Sequence, residues 1–204
     1  MISYFERAAI AALLAATLGL AQTGDAKGGA RATPADYQTQ TKVGNLTLAA
    51  DFSSHSVTTP DAVYSTEDYV VVDAGFFGPA GSHLLLTWKD FSLRINGKKT
   101  AAPAENVIVV YKNLKDPEWE ESVAVEAKAS ASKTSIGSGG NNSGPDASAP
   151  PPKPKMPIAL ERRMEQRADK AALPEGDQPL PAGGLLFFSY HGRTKDIHSI
   201  VLIY

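Results

Sequence analysis

The sequence predicts an all-β domain of the antiparallel sandwich class, and three observations lead to this fold. About seven short segments either alternate apolar and polar residues or are rich in β-branched residues, with turn residues between them. Only residues 158–173 combine helical spacing with helix start and stop signals. The chain contains no cysteine, so no disulfide can hold the fold, and an apolar core must stabilise it.

The predicted strands follow one another along most of the chain. In residues 46–52, leucine, alanine and phenylalanine recur at the period of a half-buried strand. Residues 69–77 have bulky side chains on both faces, which predicts a central strand. Asn96-Gly97 is a strong hairpin-turn signal. Residues 122–127 fit either one more strand or the start of an insert. The other predicted strands are residues 83–88, 91–95, 107–111, 184–190 and 197–204.

These patterns divide the chain into a split sandwich and an insert. The expected segments are a signal peptide (1–21), a flexible leader (22–42), the first part of the sandwich (43–128), a disordered linker (129–157), a short amphipathic helix (158–173) and a completing strand pair (180–204). The linker is rich in serine, glycine and proline, so it cannot bury enough apolar surface to offset its ordering entropy.

The amino terminus has the pattern of a secretory signal peptide. Arg7 precedes an apolar run at residues 8–21, and small residues precede the expected cleavage between Ala21 and Gln22. The run is shorter than the ~20 residues that a spanning helix needs. We therefore expect a periplasmic or secreted protein without a transmembrane segment after cleavage; an uncleaved anchor or a buried helix is the alternative.

Composition narrows the function classes. The formal net charge is −2 at pH 7, so bulk electrostatic capture of nucleic acid is not expected. The absence of cysteine excludes thiolate metal sites and cysteine nucleophiles. No motif requires a cofactor, and none is expected.

In residues 69–99, a valine-rich strand is followed by Phe91-Ser92-Leu93 and a strand that closes on Gly97-Lys98. Residues 180–204 contain a second pair of apolar segments, residues 180–188 and 200–204. These two parts of the chain together resemble a group of bacterial secreted immunoglobulin-like domains of unknown function. The resemblance covers roughly a third of the chain and implies an immunoglobulin-like sandwich. It implies no catalytic residue.

Three side-chain groups are candidates for chemistry or recognition. Trp119 with Glu118 and Glu120 has the composition of a carbohydrate platform flanked by acids, although a solvated loop with one anchoring aromatic is the more common explanation of such a cluster. Arginines on the predicted helix form a candidate surface for an envelope partner: Arg162, Arg163 and Arg167. His191, Asp196 and His198 could converge as a metal site, but zinc normally takes three or four ligands, and a turn histidine with a solvent-facing strand histidine is the simpler interpretation.

The sequence favours an exported, non-enzymatic binding or envelope-accessory module. The alternatives are a carbohydrate-active or other hydrolase that uses the acids near Trp119, and a passive spacer in an envelope assembly. Because core packing gives no reason for the insert, we expect residues 130–172 to be dispensable for folding. The sequence identifies no ligand and sets no oligomeric state.

Overall fold

A computed structural model describes residues 29–133 and 154–204. The described chain is built mostly from antiparallel β-sheets with a few short helices. Its strands are β1 (Thr39–Val43), β2 (Leu46–Ser54), β3 (Ser56–Thr58), β4 (Val63–Thr66), β5 (Tyr69–Phe77), β6 (His83–Leu86), β7 (Ser92–Ile95), β8 (Ala102–Glu105), β9 (Leu114–Lys115), β10 (Gly176–Pro179), β11 (Ala182–Ser189) and β12 (Ile200–Ile203). Its helices are α1 (Val107–Val110), α2 (Pro117–Lys133) and α3 (Ile158–Ala171).

One curled sheet of seven strands organises the molecule. The strand order is β1-β2-β5-β11-β8-β7-β12, and every neighbouring pair is antiparallel. Two small sheets flank it, one formed by β6 and β10 and the other by β3, β4 and β9. The long strands β2, β5 and β11 lie beside one another, so the most extensive ladder runs through β5.

The main core lies inside the curl. Alternate residues of β5 point into it, as a pleated strand with one buried face requires. The buried side chains come from strands at both ends of the order, including Leu48 on β2 and Leu202 on β12. Phe91 stacks on Tyr204 with ring centroids 4.8 Å apart, so the end of the chain is packed into this core.

A second core lies on the outer face of the sheet, beneath α3. Met164 and Ala168 are 2% and 0% exposed, respectively. They pack in one cluster with Val71 of β5, Phe187 of β11 and Tyr64 of β4. The helix is therefore part of the hydrophobic core, whereas the expectation that residues 130–172 are dispensable assumed that they bury little.

One local prediction of a strand is wrong, and one segment that was left open is a helix. Residues 107–111 form α1 and the turn that follows it, because the Asn106 side chain accepts a hydrogen bond from the Ile108 N–H at 2.9 Å and caps a helical turn. Only Val110 of α1 is buried. The other residues of this apolar run are therefore not covered on both sides, as they would be in a central strand. Residues 122–127, left open between strand and insert, lie in α2.

An Asp-Pro pair sets the start of α2. The Asp116 carboxylate accepts the Glu118 N–H at 3.0 Å, and Pro117 occupies the first helical position. Proline is favoured there because its missing N–H would have no partner in the helix. The expected linker at 129–157 therefore begins inside α2, and its residues 134–153 lie outside the described part of the chain.

Other predictions are confirmed. The central strand spans residues 69–77 and pairs on both sides. Asn96 and Gly97 have φ values of 53° and 65°, the left-handed pair that a tight hairpin turn requires, and the Lys98 N–H closes the turn on the Ile95 carbonyl.

The segment expected to be a flexible leader, residues 22–42, differs from that expectation in its described part. Strand β1 begins at Thr39, and residues 29–37 pack on the sheet.

Candidate functional site

The curled sheet leaves a cleft between its first and last strands. Threonines of β1 form one wall and Ile200 and Leu202 of β12 contribute to the other, with core residues of β2, β5 and β7 between them. We call this feature the edge cleft; its main lining residues are Thr39, Thr41, Leu48, Phe76, Leu93, Ile200 and Leu202. The space between these residues is narrow and partly open to solvent.

The directions of the two outer strands follow from the strand count. Six successive antiparallel pairings along seven strands make β12 run in the same direction as β1. Within the described residues, neither strand has a ladder partner on its outer edge. Each edge therefore offers a row of backbone N–H and C=O groups that another strand could use.

The interior of the edge cleft is apolar and its β1 wall carries hydroxyls. Thr41 is the cross-strand partner of Leu48, and Thr39 is the partner of Ala50. Cross-strand partners share a face of the sheet, so these threonines face the same side as Leu48. The site suits apolar side chains with an accompanying backbone better than it suits a charged small molecule.

A short segment before β1 closes over the opposite face of the same strands. We call residues 29–37 the strap. Arg31 Nη2 pairs with the carboxylate of Asp51 on β2 and lies 3.2 Å from Asp73 Oδ2 on β5. The guanidinium also lies over the ring of Tyr37, 4.6 Å from its centroid. Asp51 and Asp73 are direct cross-strand partners, so the arginine separates two carboxylates that would otherwise repel each other.

Burial dominates the electrostatics of this cluster. Desolvation raises the pKa of Asp73 from 3.8 to about 6, although Arg31 opposes the shift; the neighbouring Asp51 carboxylate adds to it. Desolvation also raises the pKa of the Tyr37 hydroxyl to about 12. Asp73 is thus the member of the cluster whose charge changes closest to neutral pH.

Two glycines allow the strap to approach the sheet closely. A Cβ on Gly75 would lie 2.5 Å from Tyr37 Oη, and a Cβ on Gly183 would lie 2.8 Å from Ala30 Cα. Gly75 and Gly183 are paired across β5 and β11. Because neither glycine has a side chain, the strap lies directly against the backbone of β5 and β11 at this point.

The sequence interpretation missed both the strap and the edge cleft. Asp51 and Asp73 each interrupt an otherwise apolar or small-residue strand, and Gly75 follows two residues after Asp73. Acids on buried strands need a cationic partner, so these two positions indicate that a basic side chain lies close to them in the fold. The partner could not be identified, because Arg31 lies in a segment without periodicity.

The two acids beside Trp119 do not point to one place. Glu118 and Glu120 are exposed and lie two residues apart on α2, where side chains point to different sides of the helix. Trp119 is half-buried, and the nearby Asp116 carboxylate is used as the helix cap. The hydrolase alternative therefore gains no support from this geometry.

The three arginines of α3 do not share one role. Arg162 and Arg163 are exposed. Arg167 donates a hydrogen bond to the Tyr64 hydroxyl at 3.0 Å and lies 3.5 Å from the Asp61 carboxylate. Arg167 therefore anchors α3 to β4, and only two members of the expected partner surface face solvent.

His191, Asp196 and His198, which were considered as a metal site, do not come together. His191 Nδ1 lies 3.0 Å from Asp68 Oδ1, and Asp196 pairs with Arg193 instead. The backbone N–H of His198 donates to Asn96 Oδ1. Within residues 29–133 and 154–204, no group of three metal-ligating side chains comes together. The expected cleavage site at Ala21 and Gln22 lies outside the described residues.

Among the described helices, none combines the length and apolar character needed to cross a membrane. Comparison with known proteins gave no match to a family model, to a curated protein or to a solved structure.

Proposed function

We propose that this protein is an exported, non-enzymatic binding module of the cell envelope whose edge cleft receives one extended strand of a partner polypeptide. The proposal keeps the function class that the sequence favours and assigns the binding site to the gap between β1 and β12. The expected ligand is a segment in which apolar and polar side chains alternate.

The observation that carries the proposal is the relative direction of β1 and β12. The two strands run the same way, so one added strand can run antiparallel to both. Such a strand would complete an all-antiparallel ring of eight strands. Direct pairing of β1 with β12 would instead place a single parallel pair in an otherwise antiparallel sheet, which is the less stable arrangement.

The lining of the edge cleft supports the same ligand. Alternate side chains of an added strand would point inward beside Leu48, Leu93 and Leu202, which are already buried in the core, and the apolar surface of those added side chains would leave water. The outer side chains would remain in solvent. Backbone hydrogen bonds along both edges would give affinity, and the inward side chains would give specificity, as in other cases of strand addition.

The proposal also includes export from the cytoplasm and an immunoglobulin-like sandwich fold. The signal pattern at residues 1–21 supports a periplasmic or secreted location. The resemblance of residues 69–99 and 180–204 to bacterial immunoglobulin-like domains supports the sandwich interpretation. A passive spacer would need no open cleft with unpaired edges, so the strand-addition function is favoured over it.

A binding assay with a matched pair of variants tests the proposal. The probe is a short synthetic peptide in which valine and threonine alternate, labelled with a fluorophore and titrated with the full chain. Thr41→Glu places a charge on the wall of the edge cleft. Thr47→Glu makes the same change on β2, opposite the exposed Lys42 and away from the cleft lining.

We expect the peptide to bind the native chain and Thr47→Glu equally and to bind Thr41→Glu at least about tenfold more weakly, since the charge would be desolvated. A control peptide with proline at alternate positions should not bind, because it lacks half of the N–H donors. Equal binding of the two peptides, or equal affinity of the two variants, would refute strand addition at this cleft.

A further inference from the structure

Two basic side chains lie on the outer face of the strands that border the edge cleft. Thr41 of β1 shares the inner face with the buried Leu48, so Lys42, the next residue, points to the outer face. Arg94 of β7 is flanked in sequence by two buried core residues and therefore also points outward. Lys42 is exposed, and Arg94 is half-buried.

Neither cation is neutralised within the described part of the chain. The ion pairs of residues 29–133 and 154–204 all involve other basic side chains. In the same residues, Arg94 Nε is buried without a hydrogen-bond partner. A buried donor without a partner costs free energy that a bound acceptor can recover. Arg94 is therefore suited to receive a carboxylate from outside the described chain.

The strands around the cleft carry only this one sign of charge. No acid occurs in β1, β7 or β12, and the outer residues of β12, Val201 and Ile203, are apolar. The nearest acid behind β1 is Asp51 on β2, which is already paired with Arg31. The outer surface on both sides of the edge cleft is therefore apolar or polar, with two unpaired cations and no competing anion within these strands.

We propose that the strand received by the edge cleft is acidic on its outer face, with carboxylates that pair with Lys42 and Arg94 and with apolar side chains on its inner face. The inference rests on the proposed function, because it names the ligand of the same site. It adds the sign of the ligand's charge, which backbone pairing alone does not set.

A strand placed between β1 and β12 brings its outer side chains to both cations. Directly opposed residues of neighbouring strands have Cβ atoms about 4.5–5.5 Å apart, so an outer carboxylate of the ligand can lie beside Lys42. Arg94 is the cross-strand partner of Val201 and lies one strand further away, about 10 Å from the added backbone. Its stem can lie along the apolar Val201 side chain while the guanidinium reaches a glutamate of the ligand.

The same charges argue against a second copy of this chain as the occupant. The free edge strands of a second copy would be β1, which carries Lys42, or β12, which carries no charge. Two copies of β1 side by side would bring like charges together, and an edge lysine is a common means of preventing such pairing. The occupant is therefore an acidic segment of a different polypeptide.

Four labelled peptides of equal length test the proposal on the full chain. Valine alternates with threonine, glutamate or lysine in three of them, and glycine alternates with glutamate in the fourth. We expect the valine–glutamate peptide to bind about fivefold more tightly than the valine–threonine peptide, and the valine–lysine peptide to bind more weakly than both. The preference should shrink in 1 M salt, where the screening length is about 3 Å. Equal binding of the glycine–glutamate peptide would show charge capture without strand addition and overturn the proposal.

A matched pair of double variants assigns the preference to the two cations. Lys42→Gln with Arg94→Gln should reduce the ratio of the glutamate and threonine affinities to about one. Lys112→Gln with Arg163→Gln makes the same change in net charge at exposed positions outside the cleft lining, and should preserve the native ratio. The single variant Lys42→Gln changes only an exposed side chain and should reduce the ratio in part, so the test holds even if the double variant at the cleft does not fold.

The outcomes separate this inference from the proposed function. Equal affinity of the native chain for the threonine and glutamate peptides, with threonine-peptide binding still weakened by Thr41→Glu, would refute the acidic ligand and leave strand addition intact. A glutamate preference that persists without Lys42 and Arg94, or tighter binding of the lysine peptide, would also overturn the inference. Failure of every alternating peptide to bind would refute strand addition itself.

Discussion

Asp51 and Asp73 lie directly opposite each other on β2 and β5, and a single arginine, Arg31, contacts both carboxylates. Like charges placed opposite each other in a sheet are destabilising, and Asp51 is only 8% exposed. The arrangement is tolerated because Arg31 reaches the pair from a segment that precedes the sheet in sequence. Residues 29–37 are thereby tied to the strands that form the edge cleft.

The stability of the fold should depend on pH through Asp73. Its pKa is raised on folding, so its contribution is fully present below 3.8 and is lost as the pH rises through about 6. From about pH 5 to about pH 8, this amounts to a loss of roughly 1.5 kcal/mol in the free energy of unfolding. Urea denaturation of the native chain and of Asp73→Asn at several pH values measures it. The difference between the two curves isolates Asp73 from the other carboxylates; a flat difference would contradict the prediction.

Removing the arginine should destabilise the fold at neutral pH. Arg31→Leu leaves two facing carboxylates without a partner, and we expect a loss of about 1–2 kcal/mol, less than for a fully buried pair because the Arg31 side chain is 33% exposed. Arg31→Leu combined with Asp73→Asn should recover most of the loss. A double-mutant cycle by thermal melting measures the coupling, and strictly additive losses would show that the ion pairs are unimportant.

Gly75 and Tyr37 should be energetically coupled. Gly75→Ala places a methyl group against the Tyr37 ring, so we expect a loss of about 1–3 kcal/mol as the strap is pushed from its seat. In a Tyr37→Ser background the two contacts with the Tyr37 side chain are gone and only the one with the Phe77 ring remains, so the same change should cost less. Gly81→Ala is not a suitable control, since that glycine has a φ of 76°. An equal cost of Gly75→Ala in both backgrounds would exclude the contact as its cause.

Helix α3 should be required for the fold. Met164→Ala removes a side chain that is 2% exposed and should cost about 2–4 kcal/mol, whereas Arg162→Ala on the exposed face should change stability by less than about 0.5 kcal/mol. Chemical denaturation of the two variants compares them directly. If Met164→Ala and Arg162→Ala both change the free energy of unfolding only slightly, α3 is peripheral to the core and the insert is dispensable for folding.

Strand periodicity predicted the sheet well where one face or both faces of a strand are buried. The central strand β5, the strands β2 and β11, and the turn at Asn96-Gly97 follow from local pattern and turn chemistry. These features depend on residues close together in sequence, which is why pattern alone identifies them.

One failure, at α1, comes from a local cap, and the others arise where a long-range contact decides the outcome. The valines of α1 have high β propensity, but the Asn106 cap sets a helical turn there. The apolar stripe of α3 contains only small or flexible residues, yet it packs on Val71 and Phe187 of the sheet, which sequence spacing could not show. The partnership of Arg31 with Asp51 and Asp73 joins residues in three separate segments.

Amide exchange of the full chain with and without the alternating peptide tests strand addition most directly. An added strand must use the outer edges of β1 and β12 together, because it lies between them. We therefore predict that alternate amides in Thr39–Val43 and in Ile200–Ile203 gain protection at the same peptide concentration, and that Thr41→Glu abolishes both gains. Protection gained on one strand only, or on neither while the peptide binds, would contradict the proposal.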